Sequence, residues 1–281
     1  MQSCIKNYLA LLNVQKTMSD YHYISELQQA HLAHFSFSSS NVLLKKALSL
    51  QPAALFERLI NQRQGGYCFE HNKIFYLALQ ALGYTVRPLL GRVMLNGDSS
   101  NGRSHRLTLL TLAEKQYVID VGFGVACPRS LIDLQNKEIV NEQAFKYQLS
   151  QESDYSISYR LTQLSPEPAK VLYRFDLREV TEADCDIAHF YSHQHPQAAF
   201  VNNLVIARVT AKQRQLIRNL TYLIIDNATG QEVVTDIKSS KQLHRLCNEQ
   251  FAVGLSESAA SELFSFLQDK RNYSATSLSN I

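Results

Sequence analysis

The fold is best worked out from one short stretch, Gln64-Gly65-Gly66-Tyr67-Cys68-Phe69-Glu70-His71-Asn72. Its two adjacent glycines interrupt a helical pattern, because glycine adopts backbone conformations that other residues avoid. Beyond them, apolar residues recur at spacings of three and four as far as Leu82, and Gly83 follows where a helix commonly ends in a left-handed residue. The pattern predicts an α-helix over residues 68–82 with a cysteine in its first turn.

Cys68 is a candidate nucleophile because of that position. The unpaired N–H groups at the start of a helix carry partial positive charge, which favours the thiolate form over the thiol. The thiolate is the reactive form of cysteine. A lone cysteine is more often an inert, buried residue, so this position by itself leaves both interpretations open.

The chain on either side of this stretch divides into three regions of different pattern. Residues 1–84 have helical spacing, with Pro52 suited to the first turn of one helix. Residues 85–183 contain short β-rich segments separated by turn residues, and residues 184–281 mix strands with later helices. This order predicts an α+β fold with three lobes, and the three ranges are the predicted domains. The predicted strands are 88–95, 105–112, 117–123, 155–161, 204–209 and 220–226, and the late helices are 241–250 and 256–270.

Two residues of the strand-rich region can complete a catalytic site with Cys68. His105 begins one predicted strand, and Asp120 lies late in the next among branched apolar residues. A carboxylate in an apolar strand needs a partner, and an imidazole N–H is a suitable one. In a Cys–His–Asp triad the thiolate attacks, the histidine moves protons and the carboxylate orients the histidine.

The hairpin register decides whether these two side chains meet. A hairpin loop with an even number of residues puts His105 and Asp120 on the same face of the sheet, because side chains alternate along a strand. A two-residue loop at Leu112-Ala113 sets them directly opposite, whereas a longer loop near Glu114 staggers them and requires a bulge. The alternative is that Asp120 caps the nearby turn and His105 is an ordinary strand residue.

Three sequence blocks resemble the arylamine N-acetyltransferase family. They are Gly65-Gly66-Tyr67-Cys68-Phe69-Glu70, Ser104-His105-Arg106-Leu107 and Asp120-Val121-Gly122-Phe123-Gly124. They follow the family's order at nearly its separations, with 37 residues from the cysteine to the histidine and 15 from the histidine to the aspartate. The resemblance is strong from about residue 30 to 125 and diffuse before 20 and after about 250.

The resemblance implies an N-terminal helical bundle, a central β-barrel and a C-terminal α/β lid, with a catalytic core like that of cysteine proteases and transglutaminases. It gives Cys68 the role of nucleophile, His105 that of general base and Asp120 that of orienting residue. It also places Phe37 and Phe123 in the acceptor pocket, where aromatic faces stack on an aryl ring.

The implied reaction is acetyl transfer from acetyl-CoA to an arylamine or arylhydrazine by a ping-pong route through an acetyl-cysteine. Acetyl-CoA is then a co-substrate, with no permanently bound cofactor. No recognised phosphate-binding loop is present, so the residues that contact CoA stay unassigned.

Two positions depart from the family pattern. The family's arginine before the double glycine is Gln64, with Arg63 displaced by one position, and its glutamate after the pocket phenylalanine is Ser38. We expect a compensated change in which Gln64 and Ser38 are neighbours and hydrogen-bond to each other. On that expectation, Gln64→Arg destabilises the fold.

A histidine-rich segment is a candidate metal site. Its members crowd into twelve residues: Asp184, Cys185, His189, His193 and His195. Their spacing is not that of a zinc site, so we predict no metal and expect exposed loop histidines. We expect His71 either to contact residues that hold the catalytic side chains or to face solvent. We expect Glu70 and Asn72 to form local hydrogen bonds.

Composition narrows the range of functions. The chain has 281 residues, 45% hydrophobic and 19% charged, which suffices for a substantial core. A net charge of +3 gives no support to a nucleic-acid partner, and the longest apolar runs are too short for a membrane span. Five scattered cysteines do not resemble a disulfide framework and indicate a reducing cytoplasm. The sequence leaves the oligomeric state open.

Three alternative functions remain at this stage. A cysteine hydrolase or transglutaminase-like enzyme can use the same triad on a peptide. A macrocycle-forming amide synthase, a relative of the same family, can use it on a carrier-bound acyl chain. A binding protein can keep the fold without an activated cysteine.

Overall fold

The computed structural model describes residues 2–152 and 158–278, with side chains as far as residue 271. Within these ranges the α-helices are α1 (Gln2–Leu12), α2 (Asp20–His34), α3 (Ser40–Leu43), α4 (Pro52–Phe56), α5 (Cys68–Ala81), α6 (Glu182–Gln194), α7 (Ala199–Asn202), α8 (Ser240–Arg245) and α9 (Glu257–Leu278). π-Helical segments, Glu57–Asn61 and Leu246–Gln250, continue α4 and α8, and Gly124–Ala126 forms a 3-10 turn. The strands are β1 (Phe37–Ser38), β2 (Thr85–Val93), β3 (His105–Leu112), β4 (Lys115–Ile119), β5 (Ile132–Asp133), β6 (Val140–Glu142), β7 (Phe145–Glu152), β8 (Ser158–Ser165), β9 (Lys170–Phe175), β10 (Val205–Val209), β11 (Gln213–Arg218), β12 (Thr221–Asp226) and β13 (Glu232–Asp236).

The N-terminal lobe is a helical bundle, as the sequence predicts. Pro52 is at the first turn of α4, and Gly83 ends the α5 segment with a φ of +89°. Helix α5 packs on α1 and α4 with its apolar stripe inward, and Ile74, Phe75 and Leu79 are almost fully buried. Burial of such side chains, at about 1.5–3 kcal/mol each, holds the helix that carries Cys68 in place.

The central lobe is an eight-stranded antiparallel sheet with the order β5-β4-β3-β2-β9-β8-β7-β6, which forms a near-barrel. Its interior is filled by side chains that alternate along the strands, among them Leu107, Leu109 and Tyr147. The predicted strand over residues 117–123 ends at Ile119, so the prediction is wrong for its last four residues. The chain leaves the sheet there, where Gly122 rests against the first turn of α5, and enters the 3-10 turn at Gly124. Of the predicted strand 155–161, residues 155–157 lie outside the described residues, and β8 covers the rest.

The C-terminal lobe is a five-stranded antiparallel sheet, in the order β1-β10-β11-β12-β13, packed with α8 and α9. Strand β1 comes from the predicted first domain and pairs with β10, Phe37 opposite Ala207. The lid is therefore tied by backbone hydrogen bonds to the segment beside the cysteine loop. The three-lobe α+β architecture is confirmed, and the boundaries 1–84, 85–183 and 184–281 stay predictions. Among the described residues no helix combines the length and apolar character needed to cross a membrane.

Candidate active site

The loop before Cys68 is fixed by contacts that only glycine permits. Gly65 has a φ of +69°, and a Cβ there would lie 2.6 Å from the Cβ of Ser38. A Cβ on Gly66 would lie 2.9 Å from the side chain of Leu59. Gly66 forms a parallel bridge with Phe37, and its carbonyl accepts a hydrogen bond from the Ser38 N–H. The loop at Gly65 and Gly66 thus packs between β1 and the helical bundle.

The first turn of α5 is held by a buried ion pair. The Glu70 carboxylate accepts from the Tyr67 N–H at 3.0 Å and from Arg58 Nε at 3.1 Å, and the Arg58 guanidinium also donates to the Ser49 carbonyl. Burial raises the pKa of Glu70, and Arg58 and the Tyr67 N–H only partly offset this effect. Glu70 is therefore more than the local hydrogen-bond former expected from the sequence, because it joins the α4 segment to the start of the cysteine helix.

Asn72 connects the cysteine helix to the strand that precedes Asp120. It lies one helical turn after Cys68 on the same face of α5. Its side-chain Nδ2 donates to the Arg106 carbonyl at 2.7 Å and to Asp120 Oδ1 at 3.1 Å, and its Oδ1 accepts from the Val121 N–H at 3.1 Å. One buried amide thus ties together α5, β3 and the end of β4.

The backbone at Gly122 allows this close approach. A Cβ on Gly122 would lie 2.7 Å from Cys68 Cα and 2.8 Å from Asn72 Nδ2. The Gly122 N–H also donates to Asp120 Oδ1 at 2.8 Å, which fixes the carboxylate. The end of β4 can therefore rest directly on the first turn of α5.

His105 and Asp120 meet. Their connection is a hydrogen bond from His105 Nε2 to Asp120 Oδ2 at 2.7 Å. Since the carboxylate only accepts, Nε2 carries the proton of this bond, which leaves Nδ1 for another partner. The Cys68 side chain is close enough to His105 to raise the pKa of the imidazole. Cys68, His105 and Asp120 are each at most 3% exposed, and Cys68 Sγ lies 3.7 Å from the Ser104 carbonyl oxygen. The three predicted residues lie together.

The register that brings them together differs from both predicted forms. The loop is Ala113-Glu114, with Leu112 opposite Lys115. Continued to the strand ends, this register places His105 opposite Gly122, so that Asp120 is a diagonal neighbour on the same face. Direct opposition is wrong, and no bulge occurs in the β3–β4 ladder. A two-residue loop shifted by one position, with Ala113 at a φ of +51°, produces the diagonal arrangement.

The environment of His105 favours its protonated form. Burial alone would lower its pKa, but the charge and hydrogen bond of Asp120, together with the Cys68 side chain, raise the pKa to about 10. Asp120 thus acts on the imidazole as a counter-charge as well as an orienting group.

The two predicted pocket phenylalanines neighbour different members of the proposed triad. The Phe123 ring contacts His105 edge-on at 5.0 Å between centroids and packs against Tyr173 at the same distance. Phe37 belongs to the apolar cluster that contains Cys68, and its ring is 5.5 Å from that of Phe200. The apolar cluster that contains Cys68 also includes the aromatic residues Tyr67 and Phe69.

Comparison with known proteins supports one family. The family profile described as N-acetyltransferase matches residues 20–260. The arylamine N-acetyltransferase of Escherichia coli strain K12 is 33% identical over 241 residues, which cover 83% of this chain and 84% of that protein. The chain belongs to the arylamine N-acetyltransferase family.

Solved structures agree with this assignment. The arylamine N-acetyltransferase structure from Salmonella typhimurium superposes with a TM-score of 0.86 at 28% identity, covering 94% of this chain and 99% of that one. The fold is also that of Mycobacterium marinum arylamine N-acetyltransferase in complex with CoA, with a TM-score of 0.84 at 22% identity and 92% and 98% coverage. The chain is therefore an acetyltransferase enzyme with the three-lobe fold of its relatives.

The chain does not pair Gln64 with Ser38 as expected. The Gln64 side chain donates to Gln62 Oε1 at 2.8 Å and is half-buried, whereas Ser38 is buried and its hydroxyl is hydrogen-bonded to that of Ser40 at 2.8 Å. The prediction of a Gln64–Ser38 hydrogen bond is wrong. The guanidinium of the neighbouring Arg63 lies over the Phe35 ring at 5.1 Å and donates to the His34 carbonyl.

His71 does not face solvent but is fully buried in a hydrogen-bonded chain. Its Nε2–H donates to the Ser36 carbonyl, so its Nδ1 accepts from His31 Nε2 at 2.8 Å, and His31 Nδ1 accepts from the Tyr8 hydroxyl at 2.6 Å. One arrangement of protons satisfies the whole chain with both rings neutral. Burial lowers the pKa of His71 to about 4 and that of His31 well below 6.5.

The histidine-rich segment lies on helix α6 and not in an exposed loop. His189 is buried, accepts from the Tyr67 hydroxyl at Nδ1 and donates from Nε2 to the Leu48 carbonyl at 2.7 Å. The His193 ring stacks on it at 4.2 Å. The prediction of exposed loop histidines is wrong for His189, which connects the lid to the residue immediately before Cys68.

A second contact of the lid reaches the residue beside His105. The buried Arg106 guanidinium forms two hydrogen bonds with Glu182 at the start of α6, at 2.6 and 3.0 Å, and Lys73 pairs with the same carboxylate at 2.9 Å. Burial alone would raise the pKa of Glu182, but Arg106 and Lys73 outweigh it and lower the pKa to about 2. Glu182 thus fixes Arg106 from the side of the lid.

Sequence reasoning missed several of these supporting residues. Asn72 had a usable signal, its spacing of four from Cys68 along a predicted helix. Gly122 had another, its place beside Asp120. Gln28, whose amide donates to the Asp120 carbonyl at 3.2 Å, and Glu182 had none, because each is more than 60 residues away from its partner in sequence.

Proposed function

We propose that this enzyme transfers the acetyl group of acetyl-CoA to an arylamine or arylhydrazine through an acetyl-Cys68 intermediate. The observation that carries the proposal is the buried His105–Asp120 hydrogen bond beside Cys68, which lies at the start of α5 and acts on the pKa of His105. The names of the relatives and the CoA-bound Mycobacterium marinum structure support the choice of substrates.

In the first half-reaction Cys68 attacks as the thiolate, beside a protonated His105. The sulfur forms a bond with the thioester carbonyl carbon, and the bond from that carbon to the CoA sulfur breaks. The leaving CoA thiolate takes the proton from His105 Nδ1, which leaves a neutral imidazole and an acetyl-cysteine. Exchange of one thiolate for another is nearly balanced in energy, so the step needs little driving force.

In the second half-reaction the neutral amine attacks the acetyl-cysteine, and His105 takes its proton. Acetylation has by then removed the Cys68 side-chain interaction that helps to raise the pKa of His105. The imidazole is thus deprotonated more readily when it must act as the base. Expulsion of the Cys68 thiolate restores the initial state. Aryl amines suit this step because they remain neutral at pH 7.

Phe37 and Phe123 are proposed to stack on the aryl group of the acceptor. Their positions at the Cys68 cluster and against His105 support this role. The five free cysteines support a reducing compartment, and we propose the cytoplasm.

The test is an assay of CoA release with and without an arylhydrazine, together with intact-protein mass spectrometry. We expect wild type to release one equivalent of CoA in a burst, to gain one acetyl group on Cys68, and to turn over only with the amine present. Cys68→Ala should show neither burst nor acetylation. Sustained cleavage of peptides without CoA, or turnover without an acetylated enzyme, contradicts the proposal.

A further inference from the structure

Helix α6 exposes an apolar face on the side away from the active site. Ile187 is 71% exposed, Phe190 66% and Tyr191 45%, on consecutive turns of one helix face. The opposite face of α6 is buried and carries His189 toward Tyr67. Exposure of three large apolar side chains together is typical of an interaction surface.

The spacing of this face is that of a helix–helix seam. Ala183, Ile187, Phe190 and Gln194 are all exposed and follow one another at intervals of four, three and four residues. This 4-3-4 spacing keeps side chains along one line of the helix and is the repeat by which paired helices pack. The natural occupant of such a seam is therefore another helix.

The seam from Ala183 to Gln194 is self-complementary when reversed about its own midpoint, between Ala188 and His189. Reversal brings Ile187 opposite Phe190 of a second copy, so that apolar side chains meet apolar side chains. In an antiparallel pair each flank of the seam meets the same flank of the other copy, so Asp184 lies near the Tyr191 hydroxyl and Asp186 near the His193 imidazole of that copy. The acidic residues occupy the first half of the helix and the histidines the second, which favours an antiparallel pair over a parallel one.

We propose that this surface, the exposed α6 face from Ala183 to Gln194, pairs with the same surface of a second copy of the chain in an antiparallel homodimer. Contacts in such a two-fold interface occur twice, since residue i of one copy meets j of the other and j meets i. The pairing covers Ile187 and Phe190 in both copies. The second copy then packs on the outer face of α6. Glu182 and His189 of the same helix contact Arg106 and Tyr67 at the active site.

The size of the seam sets the expected affinity. One 13-residue helix face is smaller than the roughly 800 Å² per partner of a standard interface. We therefore expect reversible association with a Kd on the order of micromolar.

The first test is sedimentation velocity of the full-length protein from about 1 µM to about 500 µM. We expect wild type to change from monomer to dimer over this range, and Ile187→Asp and Phe190→Asp to stay monomeric throughout. Val233→Asp, an equally exposed position on β13, is the matched control and should dimerise like wild type. An unchanged Tm for each variant shows that α6 is intact. A wild type that stays monomeric at every concentration, or a dimer that Ile187→Asp does not weaken, overturns the proposal.

The second test determines the orientation. Ala183→Cys and Gln194→Cys are prepared as separate variants and oxidised singly and as a 1:1 mixture. In the antiparallel pair, residue 183 of one copy meets residue 194 of the other, while two copies of the same position are about 16 Å apart along the helix. We expect a covalent dimer in the mixture and none in either variant alone. Cross-linking within a single variant that equals or exceeds that of the mixture overturns the antiparallel arrangement.

Discussion

The Asn72 amide donates to Asp120 Oδ1 at 3.1 Å, on the carboxylate oxygen that His105 does not use. Of the two Asp120 oxygens, one thus accepts from the cysteine helix and the other from His105. Because Asn72 also binds the backbone on both sides of the site, it sets the distance between α5 and the hairpin that carries His105 and Asp120.

Asn72→Ala should therefore weaken catalysis and stability together. It leaves the Arg106 carbonyl and the Val121 N–H without their partner, at about 1–3 kcal/mol for each unsatisfied buried group. We expect Cys68 acetylation to slow by about 10- to 100-fold, since small displacements of reacting groups have effects of that size. Stopped-flow CoA release and urea unfolding measure the two effects. Asn61→Ala, at an exposed asparagine, is the control, and an acetylation rate like that of wild type would show that Asn72 does not position the site.

Gly122→Ala should damage the site by steric overlap. The added Cβ meets Cys68 Cα at 2.7 Å and Asn72 Nδ2 at 2.8 Å, so α5 and the end of β4 must separate. We expect a loss of about 1–3 kcal/mol of stability, as for overpacked cores, and a marked fall in kcat. Gly102→Ala, where a Cβ has nothing within 4 Å, should leave both close to wild type. Equal behaviour of the two variants in thermal unfolding and steady-state assays contradicts the close packing described above.

The raised pKa of His105 should make the protein lose stability toward alkaline pH. The folded protein keeps the His105 proton up to about pH 10, whereas the unfolded chain releases it near 6.5. The contribution is therefore complete below about 6.5 and is lost as pH rises toward 10, by at most about 1.4 kcal/mol per pH unit. Urea unfolding from pH 6 to 10 should show a less negative slope for His105→Gln than for wild type. The exposed His22→Gln variant should keep the wild-type slope; identical slopes in all three proteins would refute the protonated His105.

The buried chain of Tyr8, His31 and His71 should have the opposite dependence. The pKa of His71 is lowered to about 4 in the folded protein, whereas in the unfolded chain it is about 6.5. Between these pH values the unfolded chain binds a proton that the folded protein does not. Stability is complete above about pH 6.5 and is lost as pH falls toward 4, by up to about 1.4 kcal/mol per pH unit for each such histidine. His71→Gln should reduce the slope of the unfolding free energy against pH by about the contribution of one histidine. His22→Gln is again the control. A slope that His71→Gln leaves as steep as in wild type contradicts the neutral chain.

Much of the fold was predictable because local patterns specify it. The glycine pair, the amphipathic stripe after Cys68 and Gly83 act within a few residues of one another, and α5 begins at the predicted residue. Strand β3 agrees with its predicted range as well. The end of β4 was not predictable in this way, because Val121 and Phe123 have the same preference for strands as the residues before Asp120. What stops the strand is the contact of Gly122 with α5, which lies about 50 residues earlier in the chain.

In the candidate site, too, local sequence predicts some features and tertiary packing decides the others. The sequence by itself determined the α+β class and the helix that carries Cys68, since residue type and near-neighbour spacing suffice for these. For the proposed triad, spacing left alternatives open, and the resemblance of three sequence blocks to the family singled out Cys68, His105 and Asp120. Only the tertiary structure decided the diagonal register of His105 and Asp120, the Asn72 connection and the Arg106–Glu182 contact from the lid. These depend on where separate lobes pack against one another, and packing is settled by the fit of buried surfaces distant in sequence, which no local pattern specifies.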